Sequence, residues 1–578
     1  MGELTPMMRH YLDTKEEYKD CIIFYRLGDF YEMFFEDAKV VSKELELTLT
    51  KKSCGLEERA PMCGVPYHAA DTYLNRLVKK GYKVAICEQV EDPKEAKGMV
   101  KREVIRIVTP GTNIDAASLD ETKNNYIMSI VCLGGDFGIS LCDITTGDFL
   151  VSELNDNASL IDEIAKFTPS EILCNEAFMV SGIDTESLIY NYNLALSPLE
   201  NHYFEQYSAI KVLKEHFKVD SLGALGLNDF PLGASSAGGL LTYLIETQKS
   251  SLNQLNTIKP YVTGGFMLLD TSTRRNLELT ETIRDKEKKG SLLGVLDKTK
   301  TAMGARTLRG YIEQPLINPR DINNRLDVID ELNNDMINRE EIREYLTGVY
   351  DLERLMTRVS YETANPRDLI ALKNTIKVIP DIISLIKDYK SSLFTYMKEE
   401  IDDLTDIYKI IDDAIDEEPP ITVRDGEIVK SGYNKEVDKL RNAKSDGKNW
   451  LAQLETGERE KTGIKNLKVK YNKVFGYYLE VTNSYLELVP DYFIRKQTLV
   501  NCERFFTNEL KDLENTILNS QDKLSAIEYD IYKDILSKIN DNIERIQKSA
   551  KILAMIDVFT SLSYVSEKNH YTRPAIND

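Results

Sequence analysis

Short apolar runs alternate with amphipathic stretches in the first part of the chain. Cys21–Leu27 is apolar and rich in β-branched and aromatic residues, and Gly28 follows it, so it predicts a strand. Residues 30–46 carry an apolar stripe at helical spacing, which predicts a helix. The stripe consists of Phe30, Phe34, Val41 and Leu45.

The same part of the chain predicts one more helix and two more strands. Residues 71–80 have helical periodicity, with Asp71 or an adjacent residue as N-cap and Gly81 at the C-terminal side. Residues 84–88 and 104–108 are apolar runs typical of strands, and Pro110 begins a closing turn. Together these elements predict a mixed α/β domain.

Residues 125–250 predict a second α/β unit. Strands are expected over 126–132 and 137–143, joined by a hairpin at Gly134-Gly135-Asp136. A helix, a strand and a closing helix follow. Their ranges are 160–166, 170–174 and 234–248.

Long amphipathic helices dominate from about residue 265 onward. Residues 507–565 have nearly unbroken helical periodicity, longer than an ordinary globular helix, which predicts a scaffold with long lever-like helices. Residues 467–474 and 476–482 alternate instead, and they predict strands followed by a loop over 483–490. The fold class is therefore a multidomain α/β plus all-α chain, with a β-containing module inserted between long helices.

Composition supports several folded domains. The 578 residues correspond to roughly four domains at about 150 residues each. Hydrophobic residues make up 42% and charged residues 29%, which excludes a disordered acidic chain and a collagen-like chain. The net charge of −21 argues, as an average, against a nucleic-acid partner, since binding phosphates needs positive charge.

Cysteine and histidine spacing predicts no metal site. The eight cysteines form no C-x-x-C pair, and the five histidines are dispersed. Reduced, buried thiols indicate a cytoplasmic protein rather than a disulfide-stapled one. The polar start of the chain predicts no secretory leader, and no apolar run is long enough to span a membrane.

Charge is distributed unevenly. Residues 1–112 hold 18 Lys/Arg against 19 Asp/Glu, and residues 461–511 hold nine against five, so the acidity lies mainly elsewhere. Charges beyond a Debye length of about 8 Å are screened, so local basic patches can bind phosphates on an acidic protein. The alternative is that these patches are only solvated faces. A basic stretch in the first domain comprises Lys94, Lys97, Lys101, Arg102 and Arg106, and the inserted module interleaves its basic residues with Tyr471, Phe475, Tyr477, Tyr478, Tyr492 and Phe493.

Several motifs occur in a fixed order along the chain. The first domain contains GDFYEMF at 28–34, PMCGVPYH at 61–68, AICEQ at 85–89 and RIVTPGT at 106–112. The helical part contains DTSTRRNLEL at 270–279, GARTLR at 304–309 and QPL at 314–316. Together these motifs closely resemble the bacterial MutS family of DNA mismatch-recognition proteins, over essentially the whole chain.

The resemblance implies a domain organisation. It would comprise a mismatch-binding domain at 1–115, a ribonuclease-H-like connector domain at 125–250 and a helical core and lever domain at 265–440 and 506–578. A clamp domain at 440–505 would be inserted between the levers.

The family is a DNA-dependent ATPase whose final domain carries G-x-x-x-x-G-K-[ST], and this sequence contains no such motif. We therefore expect the chain to end before that domain. It would then not be an enzyme by itself, and it would not bind the ATP and Mg of the missing domain.

The resemblance assigns the mismatch wedge to Phe30 and a carboxylate partner to Glu32. An aromatic ring inserted from the minor groove replaces lost stacking and kinks the duplex, which is easier where pairing is already broken. Glu32 would hydrogen-bond the displaced base, with nearby phosphates favouring its protonated form, and would repel intact duplex. The alternative for Phe30 is a core role on the apolar stripe. The alternative for Glu32 is a carboxylate in the first turn of the helix, where the helix dipole favours negative charge.

Further DNA contacts follow from the same resemblance. Arg102 would contact DNA beside the wedge, while Lys52 and Met62 are more suited to backbone contact and packing. In the clamp, nonspecific phosphate contacts are expected from Lys470, Lys473, Arg495, Lys496 and Arg504.

The implied partners are double-stranded DNA with mismatches or small unpaired loops and the repair protein MutL. The family forms homodimers, and we expect weak or absent dimerisation of this chain. Three other functions remain open. One is a MutS-family clamp without mismatch specificity, another is an interaction scaffold, and the third is a nuclease with Asp143 as a metal carboxylate, for which the sequence offers no converging acids.

Overall fold

The computed structural model describes residues 3–91, 98–115, 117–423, 426–472 and 476–577. These residues form two compact units. The first comprises residues 1–363, 378–403 and 542–578, and the second comprises residues 364–377 and 404–541.

The first sheet of unit one has the strand order β3-β4-β2-β1-β5-β6. Its strands are β1 (Cys21–Leu27), β2 (Phe30–Phe34), β3 (Thr50–Lys52), β4 (Ala60–Pro66), β5 (Lys83–Gln89) and β6 (Arg102–Val108). The helices that accompany it are α1 (Pro6–Glu17), α2 (Phe35–Leu45) and α3 (Ala70–Val78). The strand predictions for β1, β5 and β6 are confirmed, and the mixed α/β character with them.

The predicted helix over 30–46 is wrong in its first five residues. Phe30–Phe34 is strand β2, paired antiparallel with β1, and the helix begins only at Phe35. The two-residue turn after Leu27 folds the chain back onto β1, and this tertiary pairing overrides the apolar stripe. Glu32 consequently lies in a strand and not in the first turn of a helix.

The second sheet of unit one has the order β11-β10-β7-β8-β9-β12. Its strands are β7 (Ile127–Leu133), β8 (Asp136–Asp143), β9 (Asp148–Leu154), β10 (Glu171–Cys174), β11 (Ala195–Pro198) and β12 (Lys259–Pro260). Its helices are α4 (Asn157–Phe167), α5 (Glu176–Met179), α6 (Thr185–Tyr192), α7 (Gln206–Phe217) and α8 (Pro231–Gln248). The predicted hairpin and the closing helix are confirmed. α8 packs directly on β8, because Gly138 leaves no side chain against the backbone of Leu232.

The rest of unit one is helical and packs around one buried helix, α20 (Ile543–Lys568). Around it lie α9 (Thr271–Asn276), α10 (Leu292–Leu296), α11 (Ala302–Glu313), α12 (Pro319–Asn334), α13 (Met336–Thr347), α14 (Leu352–Ser360) and α16 (Ser392–Glu400). α15 (Pro366–Ile386) runs through both units. The nearly unbroken helical periodicity of residues 507–565 is confirmed, and the structure divides this stretch into two long helices at Asp541 and Asn542.

Unit two contains α17 (Thr405–Ala414), α18 (Lys435–Thr462) and α19 (Asn508–Asn540). Between α18 and α19 lies a sheet of order β13-β14-β16-β15. Its strands are β13 (Lys468–Asn472), β14 (Gly476–Thr482), β15 (Ile494–Thr498) and β16 (Cys502–Phe506). The prediction of a β-containing module between long helices is confirmed. None of the helices in the described part of the chain is both long and apolar enough to cross a membrane.

Candidate nucleic-acid interface

The hairpin between β1 and β2 presents the predicted wedge. Leu27 pairs with Phe30 across a two-residue turn, and Gly28 adopts φ +57°, a left-handed conformation that favours glycine. An added Cβ at Gly28 would meet nothing within 4 Å, so the turn requires glycine for its backbone and not for space. The position of Phe30 therefore follows from this turn.

Burial falls steeply along β2 toward the turn. Phe34, Glu32 and Phe30 alternate onto the face of the sheet that α1 covers, here called the α1 face. Phe34 is fully buried against Tyr11 of α1, the Glu32 side chain is 15% exposed, and Phe30 is 46% exposed. The cover given by α1 thus ends before Phe30.

Phe30 is unusual among the phenylalanines of this chain. Within the described ranges, it is the only phenylalanine among the exposed large hydrophobic residues. The structure does not place Phe30 in the core. The other residues of the apolar stripe, Phe34, Val41 and Leu45, are buried, whereas Phe30 is exposed. An exposed aromatic ring held by a paired strand is chemically suited to stacking on a base.

Glu32 has a cationic partner on the same face. Lys52 Nζ, from edge strand β3, lies 2.5 Å from Glu32 Oε2. Strand β4 runs between them, and its residue opposite Glu32 is Gly64. An added Cβ there would lie 3.2 Å from the Tyr31 carbonyl oxygen and 3.4 Å from Glu32 Cγ. The small residue keeps the space beside Glu32 open, and the ion pair balances the carboxylate charge.

Arg102 lies on the α1 face but is buried. Its Nε donates to the Arg26 carbonyl at 2.8 Å, and one terminal nitrogen donates to the Val100 carbonyl at 2.8 Å. The guanidinium also lies 5.3 Å from the Tyr25 ring centroid. Arg102 therefore holds β1 and β6 together in this structure, and its contact with DNA stays a prediction.

Met62 and the remaining basic stretch have different surroundings. Met62 pairs with Phe34 and packs on the α1 face, as expected for a packing role. Lys101 is exposed and lies 2.6 Å from Glu103, while Arg106 donates to a backbone carbonyl of the closing turn. Lys94 and Lys97 lie outside the described residues. Within the described part of this basic stretch, Lys101 is exposed, whereas Arg102 and Arg106 donate to backbone carbonyls.

The opposite face of the hairpin carries a group that the sequence analysis did not single out. The Arg26 guanidinium lies 4.0 Å from the Tyr67 ring centroid and 3.6 Å from Glu88, and the Tyr31 hydroxyl donates to Glu88. Tyr67 is exposed, and its backbone N–H donates to the Asp29 carbonyl in the turn. The PMCGVPYH motif contains Tyr67 as its next-to-last residue, and the structure places this residue beside the turn.

The third sheet carries two predicted basic residues on the face opposite its apolar core. Lys470 pairs with Tyr478 across β13 and β14, and Arg504 pairs with Glu480 across β14 and β16. Lys470 Nζ lies 2.7 Å from Glu480, and this bond raises the pKa of Lys470. Arg504 Nε lies 3.8 Å from the same carboxylate. Glu480 therefore balances part of the positive charge on this face.

The other predicted clamp residues do not join that pair. Arg495 is exposed and lies 2.8 Å from Glu503, and the Lys496 ammonium lies 5.4 Å from the Phe506 ring centroid. Lys473 lies outside the described residues. Lys468 is exposed on the same strand as Lys470 and adds a cation that the sequence analysis did not select.

Asp143 does not have the surroundings of a metal carboxylate. It is fully buried, and its oxygens accept bonds from the backbone N–H of Asn125 at 3.1 Å and of Thr145 at 2.8 Å. Burial raises its pKa. No group of three His, Cys, Asp or Glu residues able to hold a metal occurs in the described ranges.

Comparison with known proteins identifies the family. Three family models match in order: MutS domain I over residues 5–117, MutS domain II over 125–256 and MutS domain III over 272–563. The last alone covers half of the chain. The chain belongs to the MutS family. The first model spans the sheet with the hairpin, the second spans β7 to β11, and the third spans the helices and the inserted module.

Curated relatives named DNA mismatch repair protein MutS match along the whole chain. Identity is 59% with the protein of Lachnoclostridium phytofermentans, 53% with that of Acetivibrio thermocellus and 52% with that of Ruminiclostridium cellulolyticum. Each alignment covers 100% of this chain but only 62%, 66% and 66% of the relative. The chain thus spans slightly less than two thirds of the length of these MutS relatives.

The MutS motifs of the helical part have structural roles. Asp270 caps α9 by accepting from the Thr273 N–H at 2.7 Å. Arg306 forms a bidentate pair with Asp351 at 2.7 and 2.8 Å and a further pair with Glu353 at 2.6 Å. The Arg306 contacts join α11 to α14 and so have a structural role within this part of the chain.

Proposed function

We propose that this chain recognises mispaired or unpaired bases in duplex DNA, with Phe30 as the inserted wedge. The observation that carries the proposal is the exposure of the Phe30 ring at the end of an otherwise buried strand, in a region that matches MutS domain I. A strand paired on both sides holds the ring rigidly, so little ordering is needed when it stacks.

The energetics favour insertion where pairing is already lost. Unstacking a base step costs a few kcal/mol, and a base–aromatic stack returns about 1–3 kcal/mol. At an intact base pair the cost also includes the lost pairing, so the same insertion is unfavourable there. Selectivity then comes from the ease of deforming the duplex and not from reading base edges.

Glu32 and Lys52 extend this proposal. In the free chain their charges balance each other. A DNA phosphate near β3 would compete for the Lys52 ammonium and leave the Glu32 carboxyl available for one hydrogen bond with a displaced base. Intact duplex has no displaced base, so no new hydrogen bond compensates there for breaking the Glu32–Lys52 ion pair.

The finer domain roles are part of the same proposal. The strand order β9-β8-β7-β10-β11, antiparallel over the first three strands and parallel beyond, supports a ribonuclease-H-like connector. The basic sheet between α18 and α19 supports a clamp that contacts the DNA backbone. Membership of the MutS family supports MutL as a partner and a homodimer of the full-length protein.

The test compares Phe30→Ala with Tyr207→Ala, which removes an exposed aromatic ring far along the chain. We expect the unmutated chain and the Tyr207 variant to prefer a G·T or unpaired-base duplex over homoduplex, and the Phe30 variant to lose that preference. Equal discrimination by all three chains would contradict the wedge assignment. A chain that binds both duplexes equally without mutation would instead be a clamp or scaffold without mismatch specificity.

A further inference from the structure

A cavity of about 520 Å³ lies within unit one, between the second sheet and the helices around α20. Its walls include Asp148 of β9, Lys166 of α4, Arg309 of α11, Arg325 of α12 and Lys551 of α20. The proposed wedge lies in a different sheet, so the cavity takes no part in the function proposed above. Its size suits a small molecule and not a duplex.

The lining is strongly basic. Eight of the described lining residues are Lys or Arg, and three are Asp or Glu. Most of the eight are balanced by a carboxylate. Arg306 pairs with Asp351 and Glu353, and Arg309 lies 3.5 Å from Glu313.

Three of the lining cations have no carboxylate partner within 4 Å in the described ranges. They are Lys123, Arg325 and Lys551, whereas the other five each lie within 4.0 Å of a carboxylate oxygen. Arg325 instead lies 3.5 Å from the Tyr311 ring centroid, an aromatic contact that leaves its N–H groups available at the ring edge. These three cations come from three separate segments of the chain and line the same cavity.

The cost of burying the positive charges of Lys123, Arg325 and Lys551 supports an anionic ligand in the cavity. Burial lowers the pKa of Lys123, and the neighbouring Arg309 lowers it further. Burial also lowers the pKa of Lys551, with Lys259 as the next cause, and burial lowers the pKa of Arg325. Nearby carboxylates, such as Glu313 for Lys123 and Asp148 for Lys551, offset only part of this cost, since each pKa is still lowered. Desolvated positive charges of this kind are stabilised when an anion binds beside them.

We propose that this cavity binds a small multivalent phosphate anion, held by Lys123, Arg325 and Lys551. The phosphate oxygens would accept from the two ammonium groups and the guanidinium, which are the donors that recognise phosphate in proteins. Tyr126, Phe167 and Tyr311 add aromatic surface to the same lining, which gives room for a phosphate that carries an organic group.

Calorimetric titration tests the site in the whole chain. Sodium tripolyphosphate and sodium pyrophosphate are the probes, in magnesium-free buffer, with sodium sulfate at equal ionic strength as the reference anion. We expect saturable binding of tripolyphosphate, weakened about tenfold by Lys551→Gln and by Arg325→Gln. Lys211→Gln is the matched control, because Lys211 is exposed on α7 outside the cavity, and it should leave the affinity unchanged.

The thermal midpoint and the DNA affinity of Lys551→Gln show whether Lys551 serves an anion site or only stabilises the fold. Without anion, Lys551→Gln should raise the thermal midpoint or leave it unchanged, because it removes an uncompensated buried charge, and homoduplex DNA affinity should not change. Absent binding, binding that Lys551→Gln leaves intact, or a lowered midpoint would overturn the proposal. Loss of DNA affinity in Lys551→Gln would assign the cavity to the DNA backbone and would overturn it as well.

Discussion

Lys52 reaches across β4 to place its ammonium 2.5 Å from Glu32 Oε2, on the face of the sheet where Phe30 is exposed. Two residues expected to contact DNA are thus bound to each other in the free chain. In the proposed function, DNA binding would have to separate them, and this cost would help to discriminate between duplexes.

Removing the Glu32 charge should weaken discrimination. Glu32→Gln releases Lys52 and removes a negative charge beside the phosphates, so we expect homoduplex affinity to rise by roughly threefold to tenfold. Mismatch affinity should rise less, because the hydrogen bond to the displaced base is altered. Fluorescence anisotropy at fixed salt measures both. Glu36→Gln, an exposed acid on α2, is the control, and unchanged homoduplex affinity in Glu32→Gln would contradict this account.

The third sheet, which we propose as the clamp, leads to a prediction about how DNA affinity depends on salt. Glu480→Gln frees Lys470 and Arg504 for DNA phosphates, so nonspecific affinity should rise. The slope of log K against log salt should steepen by about 2, since each of the two freed cations can neutralise one phosphate and each neutralised phosphate contributes about −0.9. Glu487→Gln removes an exposed acid from the same module without freeing either cation. The same slope for both variants would count against this face as a DNA surface.

Two glycines of α11 should respond in opposite directions. A Cβ at Gly304 would lie 2.8 Å from Asp557 Cγ, so Gly304→Ala should lower the free energy of unfolding by about 1–3 kcal/mol. A Cβ at Gly310 meets nothing within 4 Å, so Gly310→Ala should raise it by about 0.5–1 kcal/mol through helix propensity. Urea denaturation compares the two. A stabilising Gly304→Ala would show that α11 and α20 are not closely packed.

Asp557 should make stability depend on pH. It accepts from the N–H groups of Lys300 and Thr301, and burial raises its pKa to about 6. The folded state therefore holds this proton more tightly than the unfolded state, and stability falls as pH rises from about 4 to about 6.

The stability advantage of the unmutated chain over Asp557→Asn should shrink across that range by roughly 1–3 kcal/mol. Asp156→Asn is the control of opposite sign, because hydrogen bonds from Ser159 lower the pKa of Asp156. Urea denaturation at several pH values measures both differences. A difference for Asp557→Asn that does not change with pH would contradict the raised pKa.

Periodicity predicted much of the fold but not the conformation of the site. The strand at Cys21–Leu27 was predicted to the residue, and so was Gly476–Thr482. Residues 30–34 were predicted as helix because Phe30 and Phe34 fit a helical stripe. Their strand conformation depends on pairing with β1 across the two-residue turn and with β4, which begins only at Ala60.

Charge partners were the other part that sequence could not supply. Lys52 was selected as a DNA contact, but its pairing with Glu32 requires β3 and β2 to meet across β4. Arg102 was predicted to contact DNA from the resemblance. Only the structure shows that its guanidinium donates hydrogen bonds to backbone carbonyls. The Lys52–Glu32 and Arg102–Arg26 contacts join residues 20 and 76 positions apart, beyond the reach of local patterns.

β3 also has a consequence for the solution behaviour of the protein. It is one of the two outer strands of its sheet and is three residues long, and two of those residues are Lys51 and Lys52. A long, apolar outer strand would offer free backbone groups to another copy of the chain and would promote aggregation. A short edge strand that carries lysines disfavours such edge-to-edge pairing, so the residue that partners Glu32 also works against aggregation through this edge.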